Sequence, residues 1–222
     1  CPPAQARPSI IVGGALDRKT SENMVQDKTA WMFDDAAYAS LLSDMASAEL
    51  VLMTHEHLDH VMAIARYPQP EALAPRLVLN APQIADLPLF ADGELAPELA
   101  SLTPRLDGSV QKIAPGVVVV PAAGHTRGSQ LVFVTLQNGS EYLLIGDIVW
   151  SMDALETLTQ RPVLTQYMIF KPKYEDREAI GLQIRAIHDM MAANPDLIVF
   201  PSHDRVWLQQ LADEGKIGWG FR

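Results

Sequence analysis

Short apolar runs separated by polar turns organise the chain, and their periods predict most of its elements. Ser9-Ile10-Ile11-Val12-Gly13-Gly14-Ala15 reads as a strand ending in a glycine turn. Residues 17–28 are polar and read as loop or frayed helix. Asp34 or Asp35 can cap a helix running through Met45, because Tyr38, Leu41, Leu42 and Met45 recur at spacings of three and four. Residues 49–53 form a short apolar run, read as a buried strand, and a helix from about Leu58 to Arg66 follows. Leu77-Val78-Leu79 predicts another strand. Residues 82–104 are rich in Pro, Leu and Ala and predict short helices and loops, either a lip over a site or plain surface packing.

Strands dominate the middle of the chain. Residues 110–113 and 116–121 read as strands, and the unbroken run Val117 to Val120 predicts burial on both faces or at a sandwich centre. Asn138-Gly139 lies between the strand patterns 130–136 and 141–145 and predicts a hairpin. Residues 153–173 read as irregular, with Pro162 and Pro172 limiting helix. A long helix over 175–193 buries Ile180, Ile184, Ile187 and Met191. Residues 197–200 make a last core strand, and Asp204 caps a closing helix to about Glu214. Grouped strands separated by helices predict a layered α/β sandwich. With no tandem repeat, low-complexity tract or linker in view, residues 9–222 are expected as one domain behind a tether or trimmed leader, residues 1–8.

Composition narrows the function classes. A length of 222 residues suits one fairly large domain. No apolar run approaches the ~20 residues of a membrane span. The formal net charge of −10 weighs against a nucleic-acid partner, which calls for a basic face. The one cysteine is Cys1, so no disulfide forms within the chain and cysteine usage does not reveal the compartment. A first residue of Cys has two readings. In one, Cys1 is the processed N-terminus of a bacterial lipoprotein, with residues 2–8 as tether and a cell-envelope or periplasmic location. In the other it is an ordinary boundary, and the location is cytoplasmic.

The chemistry concentrates in Thr54-His55-Glu56-His57-Leu58-Asp59-His60, which holds half of the six histidines directly after an apolar run. Imidazole and carboxylate are ligands that a borderline metal such as zinc prefers. Two ligands at i and i+2 point the same way from extended backbone, and the following Asp-His pair can face a second metal from a helix start. Three more candidates follow strand patterns that end in small residues: His125, Asp147 and His203. Thr126, Ser129 and Ser202 are candidates to orient imidazoles or to close turns. His188, mid-helix with no motif around it, reads as structural or surface.

In these residues, taken in order, the chain resembles the metallo-β-lactamase superfamily from about Ile10 to its C-terminus. The resemblance implies a four-layer αββα sandwich with metals at one edge. Carried over, His55, His57 and His125 would bind one ion, Asp59, His60 and His203 a second, and Asp147 would bridge them. Two divalent ions are implied, zinc first, though the same ligands accept iron or manganese. Two departures stand out: Gly13 occupies the place of an expected Asp, and too little chain precedes it for the usual hairpin. The implied chemistry is hydrolysis by a metal-bridging hydroxide, with Asp59 accepting or relaying a proton. In the superfamily, true β-lactamases lack the bridging carboxylate, whereas thioesterases of the glyoxalase II kind, lactonases and phosphodiesterases have it. Only nineteen residues follow His203, too few for a glutathione-binding helical domain. The first reading is therefore a small ester, lactone or thioester as substrate. The alternatives are a phosphodiesterase, a β-lactam-hydrolysing member, or an iron-dependent oxidoreductase or degenerate binding protein. Tyr167, Lys171 and Lys173 are candidate substrate contacts or solvated surface residues.

Overall fold

A computed structural model describes residues 9–29, 31–169 and 175–218. The tether, Lys171, Pro172 and Lys173 lie outside the described residues. The chain falls into two compact units. One takes the chain up to Met53 and from His57 to Arg105; the other takes Thr54 to Glu56 and everything from Leu106 to Trp219.

The first unit is built on a parallel pair, β1 (Ile10–Val12) and β2 (Leu50–Leu52), in the register Ile10↔Leu50 to Val12↔Leu52. Parallel strands need a crossover. Here it contains α1 (Arg18–Met24) and α2 (Asp35–Ser47). The polar stretch read as loop or frayed helix is therefore partly helical, because Asp17 caps α1 by accepting from Thr20 N–H at 2.7 Å. Four α-helices follow β2 in this unit: α3 (Leu58–Ala65), α4 (Pro70–Leu73), α5 (Ala81–Asp86) and α6 (Pro97–Ala100). The strand expected at Leu77–Leu79 is reduced to one parallel bridge, Val51↔Leu77. Asn80 and Gln83 form a capping box that starts α5, so the extended segment ends before a ladder can grow. Met45, Val51, Met53, Ile64, Leu73 and Leu79 are buried in this unit's core.

The second unit holds a five-stranded sheet. Its strands are β3 (Gln111–Ala114), β4 (Val117–Pro121), β5 (Gln130–Thr135), β6 (Glu141–Gly146) and β7 (Ile198–Pro201), adjacent in that order. β3 to β6 run antiparallel, and β7 lies parallel to β6. The Asn138-Gly139 turn joins β5 to β6, as predicted, with Leu136 N–H bonded to Ser140 O at 2.9 Å. The valine run is not buried on both faces: Val117 and Val119 are buried, while Val118 and Val120 are half-buried.

Between β6 and β7 come α7 (Met152–Glu156), α8 (Val163–Met168) and α9 (Arg177–Ala193), and α10 (Arg205–Asp213) closes the unit. The stretch read as irregular thus carries two short helices. Pro162 starts α8 rather than blocking it, its φ of −54° being already set for the turn. Leu143, Ile145, Leu155, Ile180, Ile184 and Val199 are buried together in this unit. Among the described residues, no helix is long and apolar enough to cross a membrane.

Candidate metal centre

Four of the seven candidate ligands lie in the second unit, on segments that follow or join strands. His55 belongs to the short Thr54–Glu56 segment, whose Thr54 carbonyl accepts from Gln130 N–H at 2.8 Å at the start of β5. His125 is in the loop from β4 to β5. Asp147 directly follows β6, and His203 follows β7. Ser202 N–H bonds to Gly146 O at 3.1 Å, tying the ends of β6 and β7 together. Gly146 is required there. Its φ is +56°, and a Cβ would meet Thr54 Cβ at 2.8 Å and His55 Nδ1 at 3.3 Å.

Three imidazoles converge on one carboxylate oxygen. Asp147 Oδ2 lies 3.1 Å from His203 Nε2, 3.7 Å from His125 Nε2 and 3.9 Å from His55 Nε2. The His55 and His125 rings meet edge to face, with centroids 4.7 Å apart. Two ligands each ~2.0–2.1 Å from one tetrahedral ion sit about 3.3 Å from each other. The spacings bracket that value, and a nitrogen-rich set with one bridging-type carboxylate suits zinc or iron. The residues present therefore fit divalent metal. Burial pushes the Asp147 carboxyl up, but the His203 hydrogen bond and the charges of His55, His203 and His125 outweigh it and hold it far below the usual range. His55 and His125 are buried, whereas the His203 side chain is 43% exposed, so the group opens to solvent on the His203 side.

A second ring of groups orients these candidate ligands. Thr54 Oγ1 is 3.2 Å from His55 Nδ1. Trp150 Nε1–H donates to Asp147 Oδ2 at 3.0 Å. Glu175 Oε1 is 2.6 Å from His125 Nδ1, and Arg161 and Gln166 both donate to the Glu175 carboxylate. Burial pushes the Glu175 carboxyl up, yet its bonds to His125 and Arg161 more than offset this and leave it below its ordinary value. Glu56, with no ligand role expected, is only 3% exposed. It accepts from Thr126 Oγ1 at 2.6 Å and Gly128 N–H at 2.9 Å, bracing the loop that carries His125.

Thr126 and Ser129 were candidates to orient imidazoles, but their described hydrogen bonds go to Glu56 and to each other. Sequence reasoning missed Thr54, Trp150, Arg161 and Glu175. Thr54 sits inside the motif and was the one within reach. Glu175 and Arg161 are 50 and 36 positions from His125 and carry no local signature.

In the first unit, α3 begins at the other three candidates. His57 occupies the N-cap position, and its carbonyl accepts from His60 N–H and Val61 N–H, both at 3.0 Å. Asp59 stands in the first turn, where a carboxylate suits the helix dipole. Its Oδ2 is 3.7 Å from the Nε2 of the largely buried His60. The turn in which Gly13 replaces an expected Asp lies against this helix start: a Cβ on Gly14 would sit 2.3 Å from the His60 carbonyl oxygen. Glycine thus lets the end of β1 pack on the backbone of α3. Elsewhere, His188 is partly exposed on α9 beside Asp189, and Tyr167 is exposed on α8.

Comparison with known proteins extends this picture. No protein-family model matches the chain. A Mycobacterium bovis protein named as a probable metallo-hydrolase is 26% identical over 171 residues, covering 69% of this chain and 54% of that protein. The chain thus spans about half the length of this curated relative. Among solved structures, a variant of B. thuringiensis AiiA with N-decanoyl-L-homoserine bound at its active site aligns with a TM-score of 0.60. That alignment covers 90% of this chain and 78% of the other at 15% identity. A quorum-quenching N-acyl homoserine lactone lactonase aligns with a TM-score of 0.61, covering 95% of this chain and 78% of the other, also at 15% identity. Identity this low speaks to fold alone, and the fold of this chain is the one these two solved structures share.

Proposed function

We propose that this chain is a metal-dependent hydrolase that opens a small ester, lactone or thioester. The observation that carries the reading is the convergence of the His55, His125 and His203 Nε2 atoms on Asp147 Oδ2. The curated relative named as a metallo-hydrolase and the lactonases of the same fold support it. In the proposed ligand set, His55, His57 and His125 would hold one divalent ion. Asp59, His60 and His203 would hold the second, with Asp147 available to both. Bound there, the ions supply a water acidified towards neutral pH and a Lewis acid for the substrate carbonyl.

The protein's own groups do the rest. Asp147, held ionised by its imidazole neighbours, keeps negative charge where the cations sit. Trp150 N–H fixes the rotamer of that carboxylate. Asp59, partly exposed at the start of α3, accepts or relays the proton released during hydrolysis. The exposed flank of His203 is the side from which a small substrate reaches the group.

Metal quantification of the purified protein, run beside a substrate panel, tests the reading. About two equivalents of divalent metal and turnover of a chromogenic lactone or ester are expected, with His57→Ala losing metal and turnover together. Turnover of bis-p-nitrophenyl phosphate alone would overturn the substrate class. Redox-active iron with oxygen consumption would overturn the hydrolase itself.

A further inference from the structure

We propose that Glu175 is the positioning residue of His125: its carboxylate accepts from Nδ1–H and leaves the Nε2 lone pair, the metal-ligating atom, turned towards Asp147. The proposal rests on the reading of His125 as a metal ligand. Its first support is the 2.6 Å contact between Glu175 Oε1 and His125 Nδ1. An ionised carboxylate only accepts, so Nδ1 must be the donor. Arg161 Nη2 also approaches Nδ1, at 3.3 Å, but a guanidinium cannot accept, and an Nδ1 that carries a proton cannot accept either. Arg161 therefore spends that N–H on Glu175 Oε1.

Glu175 is itself locked in place. Gln166 Nε2 donates to its Oε2, and its own backbone N–H donates to Gln166 Oε1 at 2.8 Å. The Glu175 side chain is 1% exposed, and such a carboxylate persists only when paired and fully hydrogen-bonded. Arg161 supplies the charge, His125 and Gln166 the remaining donors. The Arg161 guanidinium also lies 5.0 Å over the Trp150 ring, whose indole N–H donates to Asp147. One arginine thus joins the outer partners of two candidate ligands. The short helices between β6 and α9, read from sequence as irregular, deliver this wall: Trp150 just before α7, Arg161 just before α8, and Gln166 on α8.

Outer carboxylates of this kind typically change metal affinity by about 10–100-fold. Two readouts on the full chain test the assignment: nitrogen-15 NMR of the histidine rings without added metal, and zinc titration against a competing chelator. The unsubstituted chain should show a downfield, slowly exchanging proton on His125 Nδ1. In Glu175→Ala that resonance should be lost to solvent exchange, and zinc affinity should fall about 10–100-fold. Glu175→Gln keeps the side chain's shape and an acceptor oxygen, so it should fold normally and fall between the two. A merely structural Glu175 would move the melting temperature and leave both readouts alone. An unmoved Nδ1 resonance with undiminished zinc affinity in both variants would overturn the proposal. His125→Ala separates the two readings: zinc binding unchanged in that variant would overturn the ligand assignment, and with it the role of Glu175 in metal binding.

Discussion

At the scale of single residues, the candidate ligands were legible and their supports were not. His55, His57, Asp59, His60, His125, Asp147 and His203 announce themselves by residue type and by following strands or opening a helix. Glu175 reaches His125 across fifty positions, and Trp150 and Arg161 look like ordinary loop residues until the chain is folded. Gly146 belongs to the same hidden layer. Sequence reading took it for a small residue at a strand end, whereas the structure gives it a left-handed backbone and no room for a Cβ. Gly146→Ala would incur about 1–2 kcal/mol for the left-handed conformation alone. The 2.8 Å approach to Thr54 Cβ adds to that and pushes on the residue whose hydroxyl meets His55. A loss of about 2–4 kcal/mol in urea unfolding is expected, together with reduced metal content. Unchanged stability with full metal content would show that the turn can relax, and that Gly146 does not set the position of Asp147.

At the scale of elements, local signals were read well and long-range ones poorly. Asp34 or Asp35 was expected to cap one helix and Asp204 another; the Asp34 and Asp204 carboxylates accept from Ala37 N–H at 2.9 Å and Trp207 N–H at 3.0 Å. Capping is decided within four residues, which is why it shows in sequence. The Leu77–Leu79 strand was over-read because whether an apolar triplet pairs depends on a partner edge far away in the chain. Asp204 differs from Asp34 in a second bond: its Oδ2 also accepts from Met152 N–H at 2.8 Å, where α7 begins. Asp34→Ala should therefore cost about 1 kcal/mol, the ordinary loss of a cap. Asp204→Ala loses the cap and also leaves the N–H of a buried residue without that acceptor, so about 2–4 kcal/mol is expected. Paired urea titrations decide it, and equal losses in the two variants would mean the Met152 bond contributes nothing.

At the scale of the whole molecule, grouped strands and intervening helices correctly announced a protein of mixed helix and sheet. The motif order pointed to a metal-dependent hydrolase, and the curated relative is named as a probable metallo-hydrolase. The division into units was not legible. It cuts the chain inside the motif, between Glu56 and His57, and no change of apolar period marks the place. A ligand that binds only the folded state stabilises it by about 2.7 kcal/mol when its free concentration is a hundredfold above its dissociation constant. A folded chain brings three imidazoles within 3.1–3.9 Å of one carboxylate oxygen, whereas in an unfolded chain His55, Asp147 and His203 are separated by long stretches of sequence. Metal should therefore favour the folded state strongly. For a chain of this length, each kcal/mol moves the melting temperature by about 2–4 °C. Stripping the protein with a chelator should then lower its melting temperature by about 5–10 °C, and adding zinc back should restore it. His203→Ala removes an exposed candidate ligand without opening a cavity in the core, so it should melt near the stripped temperature whether or not zinc is present. A melting temperature indifferent to chelator and zinc alike would mean that the converging side chains do not hold a metal ion.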